Sequence, residues 1–184
     1  MRLNDALDTH FLFDEEMHNI DLSFDNVLDV FDVFGDPDLR GYEKAEIALV
    51  LLLGKEYKGD TNQLWNYVYV KFIHVEDKRP IEYDRKGNPM PVQKESKKSI
   101  DFEKDAEYIF ASFQQAYGMN LFEQQGKLQW SEFRALLSGL PSDTIMQRII
   151  QIRLWEPSKG ESSEYKQAMR EMQKIYALEE VEEE

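Results

Sequence analysis

The sequence predicts a mainly α-helical protein: one domain over 1–184, six or seven helices, a short N-terminal β-hairpin and a basic, proline-rich loop. Three observations predict it. Apolar residues recur at spacings of three and four along most of the chain, the period of a helix face. A single stretch at the front alternates with period two, the period of a strand. Glycine and proline fall between the periodic runs, where elements end.

The elements follow in order. Residues 9–22, THFLFDEEMHNIDL, alternate on either side of Asp14-Glu15-Glu16 and predict the hairpin. Ser23 is placed to cap a helix over Phe24–Phe34, with Val27, Leu28, Phe31 and Phe34 on its apolar face. Gly35-Asp36-Pro37-Asp38 ends it. Tyr42–Leu53 is apolar on nearly all sides, the pattern of a centrally buried helix, and Gly54 stops it. Asp60 and Gln63 resemble a capping box, opening a helix that runs to about Val75 with Leu64, Trp65, Val68, Tyr69, Phe72 and Ile73 on its stripe.

Composition shifts at 78–98. Seven of the 22 Lys and Arg residues lie there against three acids, and three of the 6 prolines. The segment carries +4 within a chain of −14, so 78–99 is expected to form an exposed, mobile loop. Asp101–Tyr117 is the clearest helix, with Phe102, Ala106, Ile109, Phe110, Phe113 and Tyr117 on one face and Gly118 at its end. Trp130–Leu137 is a shorter helix, closed by Gly139-Leu140-Pro141. Ser142 is expected to cap the next, where Ile145, Ile149 and Ile152 form one row and Met146 and Ile150 another. A final helix over 163–179 puts Tyr165, Ala168, Met169, Met172, Ile175 and Tyr176 on one face. Five of the last six residues are Glu, so 179–184 reads as a disordered acidic tail.

A chain of 184 residues is long enough to bury a core without staples. It has no cysteine, which excludes disulfides and thiolate metal sites. No apolar leader opens it, and no apolar run approaches the roughly 20 residues a membrane span needs. These features predict a soluble intracellular protein with no membrane partner. The net charge of −14 argues against nucleic acid as well, because phosphate binding relies on Lys and Arg.

No catalytic constellation emerges. His10, His18 and His74 have no partners at metal-ligand spacing and read as surface or turn histidines. Asp29, Asp32, Asp36 and Asp38 lack the ligand spacing and glycine of a calcium loop, and read as a solvated helix face. Gly54-Lys55 lacks the flanking glycine and hydroxyl of a phosphate loop. The reading is therefore of a non-enzyme without cofactor or metal. The candidates that remain are protein-contact residues: Arg153 and Trp155 after the 145–152 rows, Met169 and Met172 as an adaptable methionine surface, and Arg85 and Lys86 in the basic loop. For the methionines the competing reading is core.

Three blocks, in this order and spacing, carry a family resemblance: DFEKDAEYIFASFQQAYGMNL at 101–121, LQWSEFRALLSGLPSDTIMQRIIQIR at 128–153 and YKQAMREMQKIYALEE at 165–180. With the hairpin and NIDLSFDNVLDVFDVF before them, they resemble the gene-product-fifteen family of siphophages and prophages of Gram-positive bacteria. The family's Leu-His-Trp-Trp-x-Phe box stands here as Leu128, Gln129, Trp130, Ser131 and Phe133, without the His and the second Trp. That departure points to a packing role for Trp130 and Phe133. The resemblance implies a tail assembly chaperone in the cytoplasm of the infected or lysogenic host. Its implied partners are the tape-measure protein, other tail proteins and itself. The alternative is a structural or adaptor component retained in the phage tail.

Overall fold

The structure, a computed structural model, describes residue 4, residues 6–74 and residues 99–178. The loop 78–99, except residue 99, and the tail 179–184 lie outside the described residues. So do Arg85 and Lys86. As the sequence predicts, the described chain is mainly helical, with seven α-helices and a two-stranded antiparallel hairpin at the front. The sequence predicts one domain; by its contacts the chain divides into two compact units, Met1–Asp77 with Phe122–Ser138, and Lys78–Leu121 with Gly139–Glu184.

The first unit begins with β1 (His10–Phe13) and β2 (Glu16–Asn19), paired so that Phe11 faces His18 and Leu12 faces Met17. Asp14 and Glu15 make the turn with φ of 47° and 65°. Positive φ at both positions matches the twist of the strands, at a steric penalty that glycine would not bear. Period-two alternation turns Phe11 and His18 inward and leaves Leu12 and Met17 exposed. His18 is therefore not a surface histidine. It is 1% exposed, stacked 5.4 Å from Phe11 and set edge-on to Tyr57 at 5.7 Å, and neither ring nitrogen has a partner among the described residues.

Helix α1 (Phe24–Gly35) buries Phe24, Val27 and Val30. Ser23 holds the expected N-cap position, but its hydroxyl makes no capping bond and is buried without a partner among the described residues. Its backbone is held instead by Asp21 and by strand-like bonding to 128–130: Phe24 N–H donates to the Leu128 carbonyl at 2.9 Å, and Trp130 N–H to the Leu22 carbonyl at 2.7 Å. Helix α2 (Gly41–Leu53) buries Ala45, Ala48, Leu49, Leu52 and Leu53, but not all sides as its composition suggests. Neighbours α1 and α3 cover one side, and Ile47 and Val50 stay exposed. Asp60 caps α3 (Thr61–Val68) by accepting the Gln63 N–H at 3.0 Å. The predicted long helix then widens its hydrogen-bond spacing: Tyr69–Ile73 is a π-helical turn, closed by the His74 N–H on the Tyr69 carbonyl at 2.6 Å.

In the second unit, α4 (Ala106–Tyr117) starts five residues later than periodicity predicts. Asp101 accepts the N–H groups of Glu103 and Lys104, which fastens a turn where a helix would otherwise begin. Gly118 ends α4 with φ 62°. In the first unit, α5 (Trp130–Ser138) follows as expected. Back in the second, Thr144, not Ser142, sits at the N-cap of α6 (Ile145–Leu154); its hydroxyl donates to the Pro141 carbonyl at 2.7 Å. The Met146 N–H at the start of α6 donates to Ser112 Oγ on α4 at 3.1 Å, so one buried hydroxyl satisfies a helix-start donor. Helix α7 (Ser163–Ile175) is capped by Ser162, which accepts the Tyr165 N–H at 3.1 Å.

Candidate functional site

Four of the sequence candidates lie on α6, on α7 or just after α6, two helices that pack together. The helix period brings Arg153 to the last turn of α6, pointing at the start of α4. Its Nη1 and Nη2 grip Asp105 at 2.6 and 2.7 Å, a bidentate fork on a carboxylate. Nη1 also donates to the Ser99 carbonyl at 2.9 Å, and Nε to the Tyr176 carbonyl at 2.6 Å. The side chains are 9% and 1% exposed, so this is a buried pair. Arg153 thus ties the approach to α4 and the ends of α6 and α7 together, and offers no free fork to a partner in this conformation.

Gln173 on α7 completes the junction. Its amide nitrogen donates to the carbonyls of Ile152 at 2.9 Å and Trp155 at 2.8 Å, with Arg153 at 3.4 Å. The Ile152 carbonyl also accepts the Trp155 N–H at 3.2 Å, so the Gln173 amide adds to that bond and serves the carbonyls beyond it at the end of α6. Trp155 is half-buried, its ring edge-on to Tyr165 at 6.1 Å. Met169 is buried and Met172 half-buried. Beyond Trp155 the Ser158 N–H donates to Glu161 at 3.0 Å, and that bond holds the Glu161 carboxyl below its usual range.

Sequence reasoning missed a second surface, on the first unit. Phe34 at the end of α1 stacks on Trp65 of α3, centroids 4.7 Å apart and planes 19° apart. Trp65 adjoins Tyr69 at 5.7 Å, and Tyr69 stacks on His74 at 5.5 Å and 23°. Residues five apart do not share a face of an α-helix; the wider π turn aligns Tyr69 with His74 and lengthens the row by one ring. Phe34, Tyr69 and His74 are exposed, and Val70 beside them is 67% exposed. The i, i+4 pair Trp65–Tyr69 is legible in the sequence, but its periodicity reads as core.

The box at 128–133 lies inside the same unit. Trp130 is 4% exposed and donates its indole N–H to the Ile73 carbonyl at 3.2 Å. It stacks on Phe133, which stacks in turn on Phe24 at 4.9 Å. The fold, the hairpin and this packed box accompany a family match, to the bacteriophage Gp15 protein, over residues 3–178. The chain belongs to the bacteriophage Gp15 family. No curated relative and no solved structure matches it.

In this Gp15 protein, no group of three or more His, Asp or Glu side chains among the described residues could hold a metal ion. Among the described residues no helix is long and apolar enough to cross a membrane. The acids of α1 gather on its outer face, where burial, then the charges of Asp32 and Asp25, push the Asp29 carboxyl up. What the Gp15 chain presents is therefore aromatic and aliphatic surface on the first unit, and a polar-fastened terminal helix on the second.

Proposed function

We propose that this chain is a non-enzymatic tail assembly chaperone that binds the tape-measure protein while a phage tail is built. The observation that carries the reading is membership of the bacteriophage Gp15 family over nearly the whole chain. Two physical features support it. The helical architecture leaves an exposed row of stacked rings, a surface against which the apolar stripe of another helix can lie. The net charge of −14 keeps a complex with an apolar, aggregation-prone client in solution. A protein of this kind works in the host cytoplasm by covering apolar stripes, without chemistry.

The test is co-expression with the tape-measure protein encoded by the same phage. The soluble fraction of that protein rises and the two co-purify. A Trp65→Ala, Tyr69→Ala double variant that keeps its helical circular dichroism loses most of the effect. Unchanged solubility without co-purification overturns the reading.

A further inference from the structure

Helix α7 is attached differently from the helices beside it. Of its thirteen residues Met169 alone is buried and nine are exposed, with Ile175 74% open. By contrast α4 buries Ile109, Ser112 and Phe113, and α6 buries Met146 and Ile149. Apart from Met169, half-buried Met172 and two edge-on ring contacts, Tyr165 with Trp155 and Tyr176 with Tyr108, the hold on α7 is polar and lies toward its C-terminal end. Gln173 donates to the α6 carbonyls, Arg153 Nε donates to the Tyr176 carbonyl, and the Lys104 ammonium donates to the Leu178 carbonyl. Each of these bonds ends on a backbone carbonyl, which water can serve once α7 leaves. Little apolar burial opposes departure. A helix this short is marginal by itself in water, so leaving and melting are coupled.

What departure uncovers is specific: the surface under Met169, and the Arg153 and Trp155 carbonyls, which lose the Gln173 amide, while the Ile152 carbonyl keeps the Trp155 N–H. Met169 and Gln173 are four residues apart, on one face of the helix. The resident helix is also locally basic, with Lys166, Arg170 and Lys174 against Glu164 and Glu171, inside a chain of −14.

We propose that α7 is a detachable strap over a helix-docking face, and that an amphipathic helix of a different chain takes its place. That helix carries a large flexible apolar residue, an amide donor one turn later toward its C-terminus, and net positive charge. The inference rests on the reading that the client is helical. A second copy of the chain is the less favourable occupant because two bodies of −14 repel.

The experiment uses the full chain and its Gln173→Ala variant. In hydrogen–deuterium exchange, amides of α7 exchange at least about tenfold faster than those of α4, by local opening. Gln173→Ala speeds α7 by a further factor of about five, the worth of one net hydrogen bond, and leaves α4 unchanged. A labelled peptide of residues 163–177 binds the variant more tightly than the wild type by a similar factor in fluorescence polarisation. Exchange of α7 in step with α4 overturns the strap. Peptide binding that ignores the substitution overturns the docking face. Dimers that grow with concentration in the variant, by light scattering, overturn the choice of a different chain as occupant. A peptide that binds while the tape-measure protein stays insoluble on co-expression sustains the strap and removes the proposed function.

Discussion

Replacing Arg153 by methionine should destabilise the second unit far more than a surface ion pair would. Methionine keeps much of the stem's volume and deletes the fork. Asp105, 1% exposed, is then left, among the described residues, with the Asp101 N–H at 2.9 Å as its remaining donor. The carbonyls of Ser99 and Tyr176 lose their donors at the same time. Breaking a buried pair from one side costs about 3–5 kcal/mol, because the other charge stays buried without compensation. A surface pair contributes about 0–1 kcal/mol. Urea unfolding followed by far-ultraviolet circular dichroism measures the difference. The double variant Arg153→Met, Asp105→Asn removes both charges. It should recover most of the loss, giving a coupling energy of about 2 kcal/mol or more in the cycle. A single-variant loss below about 1 kcal/mol would refute the reasoning, because it would mean that water screens the pair.

Three further outcomes are expected. Trp130→Ala should lower stability by about 3–5 kcal/mol, the range for a fully buried large aromatic, read by the same urea titration; a loss below about 1 kcal/mol would show that the ring is open to solvent. His18→Phe keeps the stacking on Phe11 and removes two partnerless ring nitrogens, so the midpoint of unfolding should rise by about 1 kcal/mol of stability; a comparable loss would reveal a hidden partner for the imidazole. Asp29→Asn should raise the melting temperature at neutral pH. The Asp29 carboxyl is raised in the folded chain, so the native state holds its proton more tightly than the unfolded one. Its favourable contribution is complete at acid pH and lost as pH rises through the folded value. The gain from asparagine should therefore shrink on acidification, and a gain that does not vary with pH would contradict the assignment.

The helices were legible because their apolar residues keep step with a turn of backbone. That signal reports which residues share a face, and it is blind to how backbone donors are diverted near an end. Asp101 draws two N–H groups into a turn and moves the start of α4 to Ala106. The π turn at Tyr69–Ile73 escapes for a similar reason: one extra residue in a hydrogen-bonded ring leaves the apolar pattern almost unchanged. Composition misleads in the opposite direction at α2. Ile47 and Val50 sit on a helix apolar all round, yet the neighbours available to cover it leave them in water. His18 is the converse case, a polar residue turned inward by strict strand alternation from the buried Phe11 opposite it.

The contact candidates divide along the same line. The sequence offers Arg153 and Trp155 after the α6 rows, and Met169 and Met172 on the α7 stripe, as separate candidates. It does not show that an acid forty-eight residues earlier, Asp105, will claim the arginine. Once that claim is made, Arg153 changes from a free cation into the fastening of α4, α6 and α7, and the question moves from what Arg153 touches outside to what it holds shut. Gln173, which no motif singles out, answers it. Its one amide serves several carbonyls at the end of α6, and a helix with a single buried side chain depends on such bonds far more than its neighbours do. A surface kept closed mainly by polar bonds to backbone opens at a lower cost than one closed by a packed apolar face, and so opens more readily without the chain unfolding.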